Sequence, residues 1–420
     1  MNVLEELTWR GLIQDISDPE ALSKVKPGDS FYIGFDPTAP SFQVGNLVPL
    51  LVSIHLTKMG LKPILLFGGA TGMIGDPGGK SAERNLLPLE QVARNVELQK
   101  KQATNLWMSA GLSVTPEFVN NIDWTKEISM LTFLRDVGKH FTVNYMLAKD
   151  SVKSRLSGDG ISYTEFSYML LQANDFLYLY QNRSCKMQIG GSDQWGNITA
   201  GLELIRRKIQ GDAYALSFPL ITNSEGKKFG KSEGNAIWLD PKMTSPYKFH
   251  QFWLNVQDAE AIRLLKIFTL EPRERIQEVE ALMNTAPEKR DAQKLLADSI
   301  CTFVHGVQAT ADAKKCAQAL FNGSLSELSD EQILEIFDDA PSSSISRTQV
   351  EELDILSLLS TTVSKSKGEA RRLVQGGGIY LDSERVSNEA LKLKDTAILS
   401  KGFVVLRSGK KNYHLVRLAD

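Results

Sequence analysis

The loop Lys228-Phe229-Gly230-Lys231-Ser232 combines residue types that suit the binding of a polyphosphate. Glycines within the loop and on both sides of it allow positive φ and movement of the backbone. Its two lysines and its serine supply ammonium and hydroxyl donors, which can stabilise charge that shifts on a triphosphate during reaction. Taken alone, the loop is more typical of a solvated basic turn, so its meaning depends on the rest of the chain.

Two further polar clusters lie in the amino-terminal part of the chain. The first runs from Tyr32 to Asn46, includes Asp36 and Thr38, and ends in Gln43-Val44-Gly45-Asn46. That last segment lies at a predicted helix N-terminus, where free backbone N–H groups favour phosphate. The second cluster begins at the glycine-rich turn Gly68–Gly72.

In the second cluster, the carboxylate of Asp76 is followed by two cations, Lys80 and Arg84, which are four residues apart. Asp76 is also compatible with a simple turn, since it stands in Gly-Asp-Pro. Lys80 and Arg84 are likewise compatible with a solvated face.

The third cluster consists of Tyr168, Gln172 and Asp175, which share one face of a helix by their spacing of i, i+4 and i+7. Together they offer donors and acceptors to a small polar ligand, and Asp175 beside Tyr32 can bind a phenolic hydroxyl. Tyr168 is alternatively a core aromatic residue.

The fourth cluster, Gly190–Asn197, contains Gly191, Asp193 and Gln194. Asp193 and Gln194 are alternatively residues of a helix cap. The structural alternatives weaken when all four clusters are taken together, because each lies where an α/β sheet binds its ligands.

The elements that must position these clusters alternate between strand and helix. Residues 29–36, 62–68 and 186–189 are predicted strands, and residues 45–60 are a predicted apolar helix. This order predicts an α/β protein with a parallel sheet that binds ligands at the carboxyl ends of its strands.

The remainder of the chain is predicted to contain fewer strands. Residues 244–320 show helical periodicity, and Pro341–Ser344 indicates a linker. The tail combines a predicted helix at 366–375 with short strands at 379–381 and 403–406.

Composition and charge restrict the class of protein. The 420 residues, with 42% apolar and 23% charged side chains, are typical of a globular protein of two or three domains. Three cysteines without CxxC spacing indicate a reducing compartment, and no apolar run is long enough for a membrane span. An acidic stretch at 321–360 precedes a basic tail at 361–420, which predicts a polyanionic partner, most simply nucleic acid, or else a solvated basic face.

With these residues assembled, the chain resembles the bacterial-type tyrosyl-tRNA synthetases, a class I aminoacyl-tRNA synthetase family. The matching stretches, in chain order, are Tyr32–Ala39, Gly68–Pro77, Phe133–His140, Thr164–Tyr168, Gln188–Asn197, Lys228–Ser232 and Trp238–Pro241. The tail, through Ser364–Arg372 and Val386, resembles the small RNA-binding module that ends this family.

The resemblance implies a Rossmann-like parallel-sheet catalytic domain at 1–240, a helical domain on the anticodon side at 241–325, an acidic and serine-rich linker at 326–349, and a small α+β RNA-binding domain at 350–420. It also implies a homodimer formed through about 125–160. The substrates would be L-tyrosine, ATP with Mg²⁺ and tRNA(Tyr), with no tightly bound protein-ligated metal and no membrane contact. The expected location is the cytoplasm.

The resemblance also assigns roles to matching positions. The tyrosine-binding residues would be Tyr32, Asp76, Tyr168, Gln172, Asp175, Gln188 and Gln194. The ATP-binding residues would be Asp36, Gly45, Gly191, Asp193, Lys228 and Lys231. The catalytic residues around the phosphates would be Thr38, Gln43, Asn46, Lys80, Arg84, Lys228, Lys231 and Ser232. The tRNA-binding residues would be Lys365, Lys367, Arg371, Arg372, Lys410 and Lys411.

One segment departs from the family pattern, since Gln43-Val44-Gly45-Asn46 replaces the usual His-Ile-Gly-His. The chemistry required there is hydrogen-bond donation to ATP, and the amides of Gln43 and Asn46 retain N–H donors. We therefore expect adenylation to survive. The alternative is a tyrosine- or RNA-binding homologue with weakened or lost adenylation.

A dinucleotide-dependent oxidoreductase is a poorer interpretation of the same α/β pattern. No G-x-G-x-x-G follows the first strand. The glycine-rich turn follows the second strand instead, and it leads to Asp76 rather than into a fingerprint helix.

Overall fold

The computed structural model divides the chain into two compact units. It describes residues 3–20, 25–77, 87–156, 160–222, 229–232, 235–322, 325, 328–337, 340–364, 366–396, 402–409 and 412–419. The first unit contains Met1–Thr244 and Trp253–Gly306, and the second contains Ser245–Phe252 and Val307–Asp420. In the described ranges, no helix is long and apolar enough to cross a membrane.

The borders of these units differ from the domain borders expected at residues 240, 325 and 349. The expected helical domain at 241–325 does not form one unit. Its residues Trp253–Gly306 belong to the first unit, whereas Ser245–Phe252 and the residues from Val307 onward belong to the second. The division into four domains therefore stays a prediction.

The helices lie mainly where apolar periodicity predicted them. In chain order they are α1 Val3–Trp9, α2 Leu47–Lys58, α3 Leu89–Ser109, α4 Ile122–Thr125, α5 Met130–Asp136, α6 Val143–Leu147, α7 Asp150–Leu156, α8 Tyr163–Arg183, α9 Trp195–Ile209, α10 Pro246–Leu254, α11 Asp258–Phe268, α12 Arg273–Thr285, α13 Asp291–His305, α14 Val307–Asn322, α15 Asp330–Phe337, α16 Arg347–Glu352, α17 Ile355–Thr362 and α18 Lys367–Gln375. The predicted helices at 45–60 and 366–375 and the helical character of 244–320 are confirmed.

The strands form separate sheets in the two units. In chain order they are β1 Asp15–Ile16, β2 Ser30–Phe35, β3 Lys62–Phe67, β4 Glu117–Asn120, β5 Cys185–Gly191, β6 Tyr214–Phe218, β7 Lys231–Ser232, β8 Asn235–Ala236, β9 Ser342–Ser346, β10 Ile379–Leu381, β11 Glu384–Arg385, β12 Phe403–Ser408 and β13 Asn412–Ala419. The strands predicted at 29–36, 62–68, 186–189, 379–381 and 403–406 are confirmed.

Within its described residues, the first unit contains a six-stranded sheet in the order β1-β6-β5-β2-β3-β4. Strands β2 to β6 are parallel, and only β1 pairs antiparallel, with β6. The chain proceeds from β2 outward to β3 and β4 and then returns to β5 on the other side of β2. The crevice between the carboxyl ends of β2 and β5 is therefore a topological switch point, where open α/β sheets bind ligands.

Helices α2 and α8 pack against this sheet for different sequence reasons. Helix α2 is apolar on nearly every side and is almost completely buried, as expected for a helix with no polar face. Helix α8 is capped at its N-terminus by Ser162, whose side chain accepts a hydrogen bond from the Glu165 amide, and at its C-terminus by Ser184, which has a φ of 49°.

In the described part of the second unit, five strands form a sheet in the order β11-β10-β12-β13-β9. Strand β9 pairs parallel to β13, and the other neighbours are antiparallel. Successive side chains of β12 point to opposite faces of the sheet and contribute to two cores. Val404 and Leu406 pack in a core with α16 to α18, whereas Val405 packs in a core with α14 and α15.

Within the expected linker at 326–349, the described residues form regular structure. The segment contains helix α15, and Ser342–Ser344 belong to β9, in which Ser342 pairs with Leu415. Serine-rich composition indicated a loop, but β9 is an edge strand whose side chains stay partly exposed, so serine is tolerated there.

Candidate active site

A cavity of about 470 Å³ lies at the switch point between β2 and β5. Its volume falls within the range of small-molecule sites. It brings together fourteen of the predicted site residues: Tyr32, Asp36, Thr38, Gln43, Gly45, Asn46, Asp76, Tyr168, Gln172, Asp175, Gln188, Gly191, Asp193 and Gln194.

The side chain of Asp175 is a buried acceptor held by two donors. The residue is 2% exposed. Asn121 Nδ2 donates to Asp175 Oδ2 over 2.9 Å, and Trp124 Nε1 donates to Asp175 Oδ1 over 2.8 Å. Burial raises the pKa of Asp175 to about 7, although both hydrogen bonds oppose that rise. The carboxylate is thus oriented for a further donor from the cavity.

Tyr32, on β2, presents a hydroxyl beside this carboxylate. The residue is 1% exposed, and its Oη atom has no hydrogen-bond partner among the described residues. Burial, and then the charge of Asp175, raise the pKa of Tyr32 well above its usual value, so the hydroxyl keeps its proton. Because buried polar groups are normally paired, this hydroxyl indicates a place for a ligand.

A second set of hydrogen bonds joins Asp36 to the same network. Tyr168 Oη and Thr71 Oγ1 each donate to Asp36 over 2.9 Å, and Asn121 Nδ2 donates to Thr71 Oγ1 over 3.1 Å. Tyr168 is therefore part of the cavity wall and points at a carboxylate, rather than serving only as a core aromatic residue.

Sequence reasoning did not single out Thr71, Asn121 or Trp124. Thr71 lies in the glycine-rich turn Gly68–Gly72. Asn121 and Trp124 follow β4, so a polar residue at the end of a strand was an available signal.

Gln188 and Gln194 both line the cavity but differ in the hydrogen bonds of their side chains. Gln194 Nε2 donates to Asp76 Oδ2 over 2.6 Å, and its Oε1 accepts from Asn197 Nδ2 over 3.1 Å. Gln188, on β5, is buried, and its Oε1 has no hydrogen-bond partner among the described residues. Asp76 and Gln194 thus act as a pair, whereas Gln188 keeps an acceptor for a ligand.

The Gln43–Asn46 segment forms a short 3-10 turn just before α2. Asn46 Oδ1 accepts a hydrogen bond from the Gln43 backbone N–H over 2.9 Å, which directs its oxygen toward the turn. The Val44 amide donates to Ile237 O over 2.9 Å. The turn is therefore attached to the segment that follows Lys228–Ser232, the lysine loop.

The stem of the lysine loop lies close to this turn. Gly230 has a φ of +83°, and a Cβ atom built on it would lie 3.2 Å from Val44 Cβ. The Ile237 amide donates to Gly230 O over 3.1 Å, and the backbones of Lys231 and Ser232 form β7, paired with β8. The position of the stem agrees with a loop that serves the same cavity.

Lys80, Arg84 and Lys228 lie outside the described residues, as do Lys365, Lys410 and Lys411 of the predicted tRNA-binding set.

The other predicted tRNA contacts are Lys367, Arg371 and Arg372, which are exposed on α18. Arg371 Nε donates to Glu389 Oε2 over 3.0 Å. A surface ion pair of this kind is worth little, so it leaves the arginine able to exchange its partner for a phosphate.

The described ranges contain no group of three or more histidine, cysteine, aspartate and glutamate side chains arranged to hold a metal ion. The cavity nevertheless combines carboxylates, amides and a phenol at one switch point. Such an arrangement can bind a small zwitterionic or phenolic ligand next to a phosphate.

Comparison with known proteins agrees with this geometry. A family model for tRNA synthetases class I (W and Y) matches residues 28–322, and one for the tyrosine–tRNA ligase SYY-like C-terminal domain matches residues 332–416. A tyrosine–tRNA ligase of Roseiflexus castenholzii is 48% identical over 99% of both chains. Tyrosine–tRNA ligase 1 of Bacillus subtilis is 46% identical, again over 99% of both chains.

Solved structures give the same result for the body of the chain. A C-terminally truncated mitochondrial tyrosyl-tRNA synthetase of Aspergillus nidulans is 32% identical with a TM-score of 0.68. The match covers 76% of this chain and 94% of that one. The full-length relatives and both family models together decide the assignment: the chain belongs to the class I tRNA synthetases, and within them to the tyrosine–tRNA ligase family.

Proposed function

We propose that this chain is a tyrosine–tRNA ligase, which activates L-tyrosine with ATP and then transfers the tyrosyl group to the 3′-terminal adenosine of tRNA(Tyr). The observation that carries the proposal is the pair Tyr32 and Asp175, a buried hydroxyl without a partner beside a buried carboxylate. A phenolic hydroxyl placed between them donates to Asp175 and accepts from Tyr32.

The opposite end of tyrosine carries an ammonium group, which matches the acidic wall of the cavity. Asp76 is buried and oriented by Gln194, and Gln172 and Tyr168 line the same wall from α8. The unpartnered Oε1 of Gln188 adds an acceptor to this pocket. An amino acid with a phenolic side chain therefore has complementary groups at both ends.

In the first reaction step, the tyrosine carboxylate attacks the α-phosphate of ATP, the bond to the bridging oxygen breaks, and pyrophosphate leaves. No side-chain nucleophile is required, so catalysis depends on orientation and on donors placed where charge develops. Thr38, Gln43 and Asn46 line the cavity and supply neutral donors toward the phosphates.

From the sequence, we assign the stabilisation of the phosphate charge by cationic side chains to Lys80, Arg84, Lys228 and Lys231. The β7 stem that leads out of the lysine loop lies beside the Gln43–Asn46 turn, which supports the proposal. Mg²⁺ enters as part of the substrate, bound to the ATP phosphates with its own waters.

In the second step, the terminal ribose hydroxyl of tRNA attacks the tyrosyl carbonyl carbon, and AMP leaves. We assign the basic tail to tRNA binding, through exposed residues of α18 such as Lys367 and Arg372. Their contacts with phosphates make charging sensitive to salt, because counterions are released on binding.

We also propose a homodimer formed through about residues 125–160. Helices α5 and α6 in this range expose Met130, Leu131 and Val143, and Leu131 is 80% exposed. Clustered apolar exposure of this kind is typical of an interaction surface. Leu131→Glu is expected to yield a monomer by light scattering, and an unchanged dimer mass would assign the contact elsewhere.

We place the enzyme in a reducing compartment, the cytoplasm. Cys185 and Cys316 are buried and form no disulfide among the described residues, which agrees with that environment. The alternative function, a homologue with weakened adenylation, is favoured by no contact among the described residues and by no comparison.

Tyrosine-dependent exchange of pyrophosphate into ATP tests the activity directly. The purified protein is expected to exchange with tyrosine and to show no exchange without an amino acid. Absence of exchange above background, with tyrosine binding retained, would favour the binding-only homologue.

A further inference from the structure

We propose that helix α3 holds the phosphate side of the cavity through a row of amide side chains, and that Gln99 in this row is a positioning residue for ATP. The inference rests on the proposed function, since it concerns the same cavity. The row consists of Asn95, Gln99 and Gln102, whose spacing of four and three residues places them on one face of α3.

Each amide of the row contacts the loop at residues 37–42, which joins β2 to the Gln43–Asn46 turn. Asn95 Nδ2 donates to Pro37 O, and Gln99 Nε2 donates to Ala39 O, both over 2.9 Å. Gln102 Oε1 accepts from the Phe42 amide, and Gln102 Nε2 donates to Ser41 Oγ, again over 2.9 Å. One helix face therefore satisfies backbone groups along the whole loop.

The burial of the row separates it from ordinary surface contacts. Asn95 is 2% exposed and Gln99 is 4% exposed. Burying an amide is unfavourable unless it is hydrogen-bonded, and an apolar side chain would fill these positions at lower cost. The amides are thus explained by the loop that they hold, because that loop has no regular pairing of its own along residues 37–41.

The loop carries groups assigned to ATP. Thr38, Gln43 and Gln99 all line the cavity, so a shift of the loop moves two of the proposed phosphate donors together. The other end of the loop is attached as well, since the Leu239 amide donates to Phe42 O over 2.9 Å and the Asp240 amide donates to Ser41 Oγ over 3.1 Å.

A second observation concerns Gln99 itself. Its Oε1 is buried and has no hydrogen-bond partner among the described residues, while its Nε2 is fixed on Ala39 O. The amide is therefore oriented with its acceptor available to a donor in the cavity region, such as a water molecule that hydrates the phosphates.

The test compares Gln99→Met with Gln91→Met, a matched change at an exposed position of the same helix. ATP affinity by calorimetry, tyrosine affinity by equilibrium dialysis, exchange kinetics and the melting temperature are measured for both. Gln99→Met leaves Ala39 O without its donor, so we expect kcat/KM for ATP to fall about tenfold while the Kd for tyrosine stays unchanged. Gln91→Met is expected to match the wild type.

The proposed role of Gln99 as a hydrogen-bond donor also predicts the order of ATP affinities among its variants. Gln99→Glu keeps the shape but places a second acceptor against Ala39 O, so its affinity for ATP is expected to fall below that of Gln99→Met. Should Gln99→Met not fold, Gln102→Met at a less buried position is expected to show the same selective loss.

Two results would overturn the proposal: ATP parameters equal to those of the wild type, or parallel losses for ATP and tyrosine that follow the melting temperature. Absence of exchange in the wild type would instead refute the proposed activity. In that case the calorimetric ATP affinities of the variants still decide the role of Gln99.

Discussion

Replacement of Asp175 by asparagine separates the contribution of the buried carboxylate to specificity from its effect on stability. At pH 8, above the folded pKa of about 7, Asp175 is a charged acceptor that Asn121 and Trp124 already orient, and the proposed ligand hydroxyl donates to it. A hydrogen bond to a charged group contributes about 1.5–3 kcal/mol. Asp175→Asn is therefore expected to reduce the preference for tyrosine over phenylalanine by about 10- to 150-fold in the exchange assay.

The same substitution has an opposite and pH-dependent effect on folding. The folded pKa of Asp175 is about 7, raised by burial from the usual 3.8. The protonated carboxyl group of Asp175 therefore stabilises the folded state fully below pH 3.8, and this contribution is lost as the pH rises through 7. This shift corresponds to about 4 kcal/mol in total, of which about 2–3 kcal/mol falls between pH 5 and pH 8.

The asparagine variant does not lose this stability, so it should gain on the wild type by that amount between pH 5 and pH 8. Urea unfolding at several pH values measures the difference. Asp123→Asn is the matched control, because Asp123 is an exposed aspartate on α4, two residues after Asn121. A difference in unfolding free energy that does not vary with pH, or an unchanged preference for tyrosine, would refute the assigned role of Asp175.

Three other changes follow from the packing of single elements. Gly68→Ala introduces a Cβ that overlaps two side-chain oxygens of the cavity wall, so urea unfolding should show a loss of about 1–3 kcal/mol. Arg155→Leu leaves the buried carboxylate of Glu165 without its two donors and should cost about 3–5 kcal/mol, whereas Arg275→Leu at an exposed pair should leave the melting temperature unchanged. Truncation after residue 345 removes the strands that cover α14 and α15, so the shortened protein should bind a hydrophobic dye strongly; weak binding would contradict this packing.

The parallel sheet and most of the cavity could be predicted because their signals are local. Apolar runs defined β2 and β3, and the spacing of Tyr168, Gln172 and Asp175 placed them on one face of a helix before any contact was known. The order of strands and helices then implied one ligand-binding edge.

The orientation of the cavity residues could not be predicted in the same way. Asp175 is held by Asn121 and Trp124, more than fifty residues earlier in the chain, and the row at Asn95 and Gln99 is recognised only through the loop that it contacts. Polar side chains in a helix pattern indicate solvent exposure unless a distant backbone satisfies them.

Strand β9 was missed for a related reason, since its partner is remote rather than adjacent. Ser342 pairs with Leu415, so the contact joins positions separated by most of the tail. Strand β13 lies between β12 and β9, so it must be synthesised before β9 can pair with the rest of the sheet. Contacts of such long sequence separation form slowly. During synthesis, helices α14 and α15 would expose their apolar faces for as long as it takes to translate the region up to β13, which is an interval in which a chaperone can bind.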